Sequence, residues 1–176
     1  MTSIPRARAV AALAAIGIAA PLGARSAGAA ERVDAGDVGL LNAAMGLERA
    51  AIKIYADAVT ANLLSAAVAG VTNQFSADHT AHLSALVALV QQAGQTPSND
   101  TTAVEVPVMK AEADVLAFAL GVERQLASTY LAAVPQYKNR EYAKTAAAIL
   151  GVDTTHVALL AEALRQNPAY PGGFTT

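Results

Sequence analysis

The sequence predicts an all-α protein: a four-helix bundle built from two helical hairpins joined by one long crossover. Three observations carry that expectation. Four separate stretches repeat apolar residues at alternating spacings of three and four, the mark of a helix face buried in a bundle. No strand-length stretch alternates with period two. The interior holds one polar, turn-rich stretch, Gln95 to Val106, about long enough to run the height of a bundle. Composition agrees. The 176 residues suffice for one domain with a sizeable core, and 54% hydrophobic against 15% charged residues favours packed helices over a disordered chain.

The elements follow in order. Arg6 and Arg8 precede an apolar run from Ala9 to Ala20, and Ala27-Gly28-Ala29 offers an A-x-A cleavage site. Residues 1–29 therefore read as a secretory signal peptide, the run being short for a membrane span. Its removal would leave a periplasmic or secreted protein with no membrane attachment. Losing Arg6, Arg8 and Arg25 leaves nine basic against fourteen acidic residues, a formal charge of −5. With no basic run left, nucleic acid is excluded as a partner. The chain has no cysteine, hence no disulfide and no thiolate metal site.

The bundle itself is expected over residues 30–167. Asp34 and Asp37 can cap a first helix running to about Val68. Gly70 to Asn73 reads as the first hairpin turn, with a second helix from about Thr72 to Ala93, stopped by Gly94. Pro107 suits the first turn of a third helix that continues to about Val134, where Pro135 interrupts it. A fourth helix spans about Asn139 to Arg165. Pro168, Pro171, Gly172 and Gly173 mark an irregular tail, residues 168–176.

The two hairpins repeat one another. An offset of 75 sets Leu41–Val59 on Leu116–Val134, pairing Glu48 with Glu123, Arg49 with Arg124 and Tyr55 with Tyr130. An offset of 74 sets Phe75–Leu86 on Ile149–Leu160, pairing His82 with His156 and His79 with Asp153. The chain has only three histidines, and this pattern uses all of them. Each expected stripe is apolar except at one level. At that level lie Glu48, His79, His82, Glu123, Asp153 and His156. Burying carboxylates costs several kcal/mol each unless they are paired, hydrogen-bonded or metal-bound. The nearby cations Arg49, Lys53 and Arg124 lie off the stripes. Arg49 and Arg124 are placed either to support the carboxylates or to lie as solvated surface residues. The i, i+3 spacing of His79/His82 and Asp153/His156 puts each pair on one helical face. A divalent metal ion on the bundle axis is the simplest charge balance; a buried Glu–His network without metal is the alternative.

These residues resemble the ferritin-like superfamily, the di-iron carboxylate bundles that include ferritins and rubrerythrins. The resemblance covers roughly Asp37 to Arg165. It implies that Glu48 and Glu123 are the carboxylate ligands of the first and third helices, and that His82 and His156 are the two histidine ligands. Asp153 stands for the fourth helix's glutamate, one methylene shorter. His79 departs from the pattern, since glutamate belongs there; the adjacent Asp78 points about 100° away on a helix. Tyr55 and Tyr130 are placed like a tyrosine that flanks the site in some ferritins, either as redox residues or as core residues with a satisfied hydroxyl. Four carboxylates would neutralise two divalent ions, whereas three leave +1, or +3 for two trivalent ions. The resemblance thus implies one or two transition-metal ions, iron first, with Mn, Zn or Cu open. It also implies a di-metal oxidoreductase using dioxygen or peroxide; separately, a monomer or homodimer is expected before a hollow shell. A stress-associated structural or interaction protein with the same fold and no turnover is the alternative.

Overall fold

The computed structural model describes residues 33–166, so the expected signal segment and the tail beyond Pro168 lie outside the described residues. Four helices follow in order: α1 (Ala35–Thr60), α2 (Ala66–Gln92), α3 (Glu112–Ala133) and α4 (Arg140–Ala163), with one 3-10 turn, Val134–Gln136, after α3. Helix α1 packs along α2 and α3 along α4, and lighter α1–α3 and α2–α4 contacts close the bundle. There is no strand among the described residues.

Two expected boundaries move. The first hairpin turns at residues 61–65, not at Gly70, which lies inside α2. Asn62 takes a left-handed conformation (φ 55°), which asparagine tolerates better than other side chains, and this ends α1. Ser65, with extended backbone, then starts α2. The third helix starts at Glu112 rather than Pro107. The Asp114 carboxylate accepts the N–H groups of Lys110 (2.9 Å) and Ala111 (3.0 Å), fixing the start there. The β-branched Val104, Val106 and Val108 suit the extended chain before it. The other ends stand close to expectation. Asp34 caps α1 through Gly36 N–H at 2.9 Å, Gly94 (φ 69°) follows α2, and Asn139 caps α4.

First-turn acids tie the hairpins together. Asp37 of α1 accepts the backbone N–H groups of Lys138 (2.9 Å) and Asn139 (2.8 Å), at the start of α4. Glu112 of α3 accepts Ser65 N–H (2.5 Å), at the start of α2. Each acid satisfies donors that the other hairpin's helix start leaves free. The crossover lies against α1. Thr102 N–H donates to Gly46 C=O (3.0 Å), and Arg49 grips the carbonyls of Ser98 (2.7 Å) and Asp100 (2.9 Å). A Cβ on Gly46 would come within 3.0 Å of Thr102 Oγ1, so glycine permits this approach.

The core divides into two clusters. One gathers Leu41, Met45, Leu86, Val90, Tyr130, Tyr137, Tyr142 and Ile149; the other gathers Tyr55, Phe75, Leu116, Leu120, Val157 and Leu160. Along α1, Ala51 is buried while Ile52 and Val59 are only half-buried. Between the clusters lies the polar level.

Candidate metal centre

All six residues expected at that level are buried: Glu48, His79, Glu123 and Asp153 at 0% exposure, His156 at 2% and His82 at 9%. Each comes from the interior of a long helix, so regular backbone geometry fixes its height and direction. The structure brings them together. His79, His156, Glu123 and Asp153 offer ligand atoms all within 4.8 Å of one another, and so do Glu48, His79 and His82. His79 belongs to both groups.

His79 lies between the two glutamates. Its Nδ1 stands 2.8 Å from Glu48 Oε2 and its Nε2 3.0 Å from Glu123 Oε1. Both ring nitrogens can donate together only in the protonated ring. Burial opposes that charge, but the hydrogen bonds to Glu123 and Glu48 outweigh it and hold His79 up at about 10. Burial likewise opposes ionisation of Glu123, yet His156 and His79 pull its carboxyl down to about 2. Glu48 is lowered as well: burial works against the charge, and the hydrogen bond with His79 together with the nearby His82 ring overcomes it. Asp153 goes the other way. Burial, then the charges of Glu123 and Glu48, raise it well above the usual carboxylate range.

The tyrosines cross between hairpins. Tyr55 of α1 donates its hydroxyl to Glu123 Oε1, and Tyr130 of α3 donates to Glu48 Oε1 at 2.5 Å. Burial, and then the carboxylates, push both phenols far up, so they stay neutral donors. Tyr55 also stacks on His79, ring centroids 5.5 Å apart. His156 is held from two sides: Phe75 stacks on it at 3.9 Å, and its Nε2 stands 3.1 Å from Asp78 Oδ2. Asp78 does point away from the axis, but toward α4. Its hydrogen bond to Nε2 leaves His156 Nδ1 facing Glu123 Oε2 at 3.3 Å. A carboxylate behind a histidine in this way sets the ring's tautomer and orientation. Sequence spacing missed this role because the contact crosses to a neighbouring helix. Neither arginine supports the carboxylates: Arg49 holds the crossover, and Arg124 reaches Gln166 Oε1 at 3.1 Å.

Several inward-facing atoms have no hydrogen-bond partner although buried: His82 Nδ1, Glu123 Oε2, both oxygens of Asp153 and His156 Nδ1. Each such atom costs about 1–3 kcal/mol if left unmatched. His82 Nδ1 lies 3.6 Å from Glu48 Oε2 and 3.7 Å from Asp153 Oδ1, too far for hydrogen bonds. A cation placed among these groups would match them together. Three imidazoles with three carboxylates fit a borderline transition metal better than an all-oxygen ion such as Mg or Ca.

A four-helix bundle with a buried His/Glu/Asp cluster contributed by all four helices defines the ferritin-like class. The chain belongs to the ferritin-like domain family, whose sequence profile matches residues 36–166. Solved structures agree on the fold. A mycobacterial bacterioferritin superposes with a TM-score of 0.69 at 16% identity, covering 77% of this chain and 86% of that one. Ferritin-like, diiron-carboxylate proteins from Bacillus anthracis give 0.62 at 18% identity, covering 73% and 95%. A Rhodobacter capsulatus bacterioferritin with a metal-free dinuclear site and haem iron gives 0.68 at 17% identity, covering 77% and 87%. No curated protein matches the sequence.

Proposed function

We propose that this protein binds one or two transition-metal ions, iron first, through Glu48, His79, His82, Glu123, Asp153 and His156, and oxidises bound ferrous iron with dioxygen or peroxide. The observation that carries the reading is the set of buried, partnerless nitrogen and oxygen atoms facing one another at a single level of the bundle. Bound iron would supply the electrons for reducing the oxidant. The chain's own residues do the rest. Glu48 and Glu123 present carboxylates held by the Tyr130 and Tyr55 hydroxyls. Asp78 and Phe75 fix the His156 ring, and the two apolar clusters keep bulk water from either end. The leader-like residues 1–29 support a place outside the cytoplasm, which the N-terminal sequence of the protein recovered from its host would check.

Elemental analysis of purified protein beside a Glu48→Ala/Glu123→Ala variant tests binding. We expect near-stoichiometric iron, or another first-row metal, in the parent and little in the variant. Equal sub-stoichiometric metal in both would overturn the reading. Oxidation is tested by following anaerobic ferrous loading and then air exposure by absorbance.

One observation favours a second reading, a ferritin-like structural protein with no turnover. His79 hydrogen-bonds both Glu48 and Glu123, which gives the two carboxylates a partner within the protein. Under that reading a chelator leaves the melting temperature unchanged, whereas a bound ion raises it by linkage.

A further inference from the structure

A cavity of about 230 Å³ opens beside the polar level, walled by Tyr55 and Ala58 of α1, Leu116 and Ala119 of α3, Leu160 of α4 and Pro107 of the crossover. From these walls we infer that it is a binding site for a small, uncharged, apolar molecule about the size of one aromatic ring.

The polar groups around the cavity are already committed. The Tyr55 hydroxyl donates to Glu123, and the Thr72 hydroxyl donates to its own helix at Val68 C=O, 2.9 Å away. Asp57 stands at the rim, exposed and paired with Lys53. None of these side chains leaves an occupant a free donor or a buried charge, so its gain comes chiefly from burying apolar surface. Size sets the rest. An apolar cavity of roughly 150 Å³ suffices to hold benzene, whereas pockets for drug-sized ligands begin near 300 Å³.

The cavity has a sequence cause. The opposite end of the bundle is related to this one by the same offsets. There Tyr130 shares its core cluster with Tyr137 and Tyr142, whose rings meet edge to face at 6.4 Å. At the 74-residue offset their counterparts are Leu63 and Val68. Two large rings fill one end, and smaller side chains stand in their places at the other. Leu63, in the place of Tyr137, lines the cavity and leaves it the room that a ring would take. One wall is not helical. The crossover lines the cavity there through Val106, which is 53% exposed, and Pro107.

The site borders the metal cluster through a single residue, because the Tyr55 ring that walls the cavity carries the hydroxyl bonded to Glu123. Occupancy needs no metal, so the chelated full-length protein tests it independently of the proposed function. Toluene is the probe and benzoate its charged counterpart, read by methyl chemical shifts and by thermal melting. We expect saturable toluene-dependent shifts at Ala58, Leu116 and Ala119 with a rise in melting temperature, and no response to benzoate. Ala58→Phe places a ring in the cavity and should abolish the toluene response while keeping the helical circular dichroism spectrum. No saturable shift in the parent, an equal response to benzoate, or an undiminished response in a folded Ala58→Phe would overturn the inference. Should Ala58→Phe fail to fold, xenon-pressurised crystals of the parent decide: density in the cavity supports it, and density absent there refutes it.

Discussion

Replacing His79 with glutamate should weaken the metal-free protein and strengthen its response to metal. The protonated His79 ring joins Glu48 at 2.8 Å and Glu123 at 3.0 Å. Charge-assisted bonds of this kind contribute about 1.5–3 kcal/mol each. His79→Glu removes the cation and adds an acid to a level that already holds three. Breaking a buried ion pair from one side costs about 3–5 kcal/mol. For a bundle of this size each kcal/mol moves the melting temperature by roughly 3–4 °C, so the chelated variant should melt ~10–20 °C below the parent. With metal the order of effects reverses. Four carboxylates neutralise two divalent ions, so manganese or anaerobic ferrous iron should raise the variant's melting temperature by more than the parent's. Paired calorimetric melts near pH 6, with chelator and with metal, supply the four values needed. A chelated variant within about 3 °C of the parent would show that His79 is not the cation that holds these carboxylates.

Two further outcomes follow from the same geometry. His79 is raised to about 10 from an ordinary 6.5, so its stabilisation is complete below pH 6.5 and is lost as pH rises toward 10; Glu123 is lowered to about 2 from 4.5, so its share is complete above pH 4.5 and is lost as pH falls toward 2. The two shifts describe one interaction from its two partners, and denaturant melts of chelated protein should show a single stability maximum between pH 4.5 and 6.5. Asp78→Asn removes the carboxylate behind His156 and should weaken metal affinity about 10–100-fold in chelator competition, with little change in the metal-free melt; an unchanged affinity would count against Asp78 as a positioning residue.

Much of the site was legible in the sequence because helical periodicity is local. Glu48, His79, His82, Glu123, Asp153 and His156 share one level whenever their stretches are helical, since 3.6 residues per turn fixes which side chains share a face. The hairpin ends were less legible. Gly70 looked like a break but lies inside α2, because one glycine costs a helix only about 1 kcal/mol, which packing overrides. Pro107 looked like a helix start but belongs to the crossover, since Asp114 fixes the start five residues later.

The sequence by itself determined the class of fold, the level of the polar cluster and its unusual composition, with histidine where the family has a fourth carboxylate. Only the tertiary structure decided how those groups meet. Asp78 acts on His156 across a helix–helix contact, Tyr55 and Tyr130 each serve the other hairpin's glutamate, and Arg49 is spent on the crossover. The physical reason is common to all of these. Spacing along the chain sets the direction of a side chain from its own helix axis. What it meets depends on how the helices are rotated and how closely they pack, which the whole core settles together.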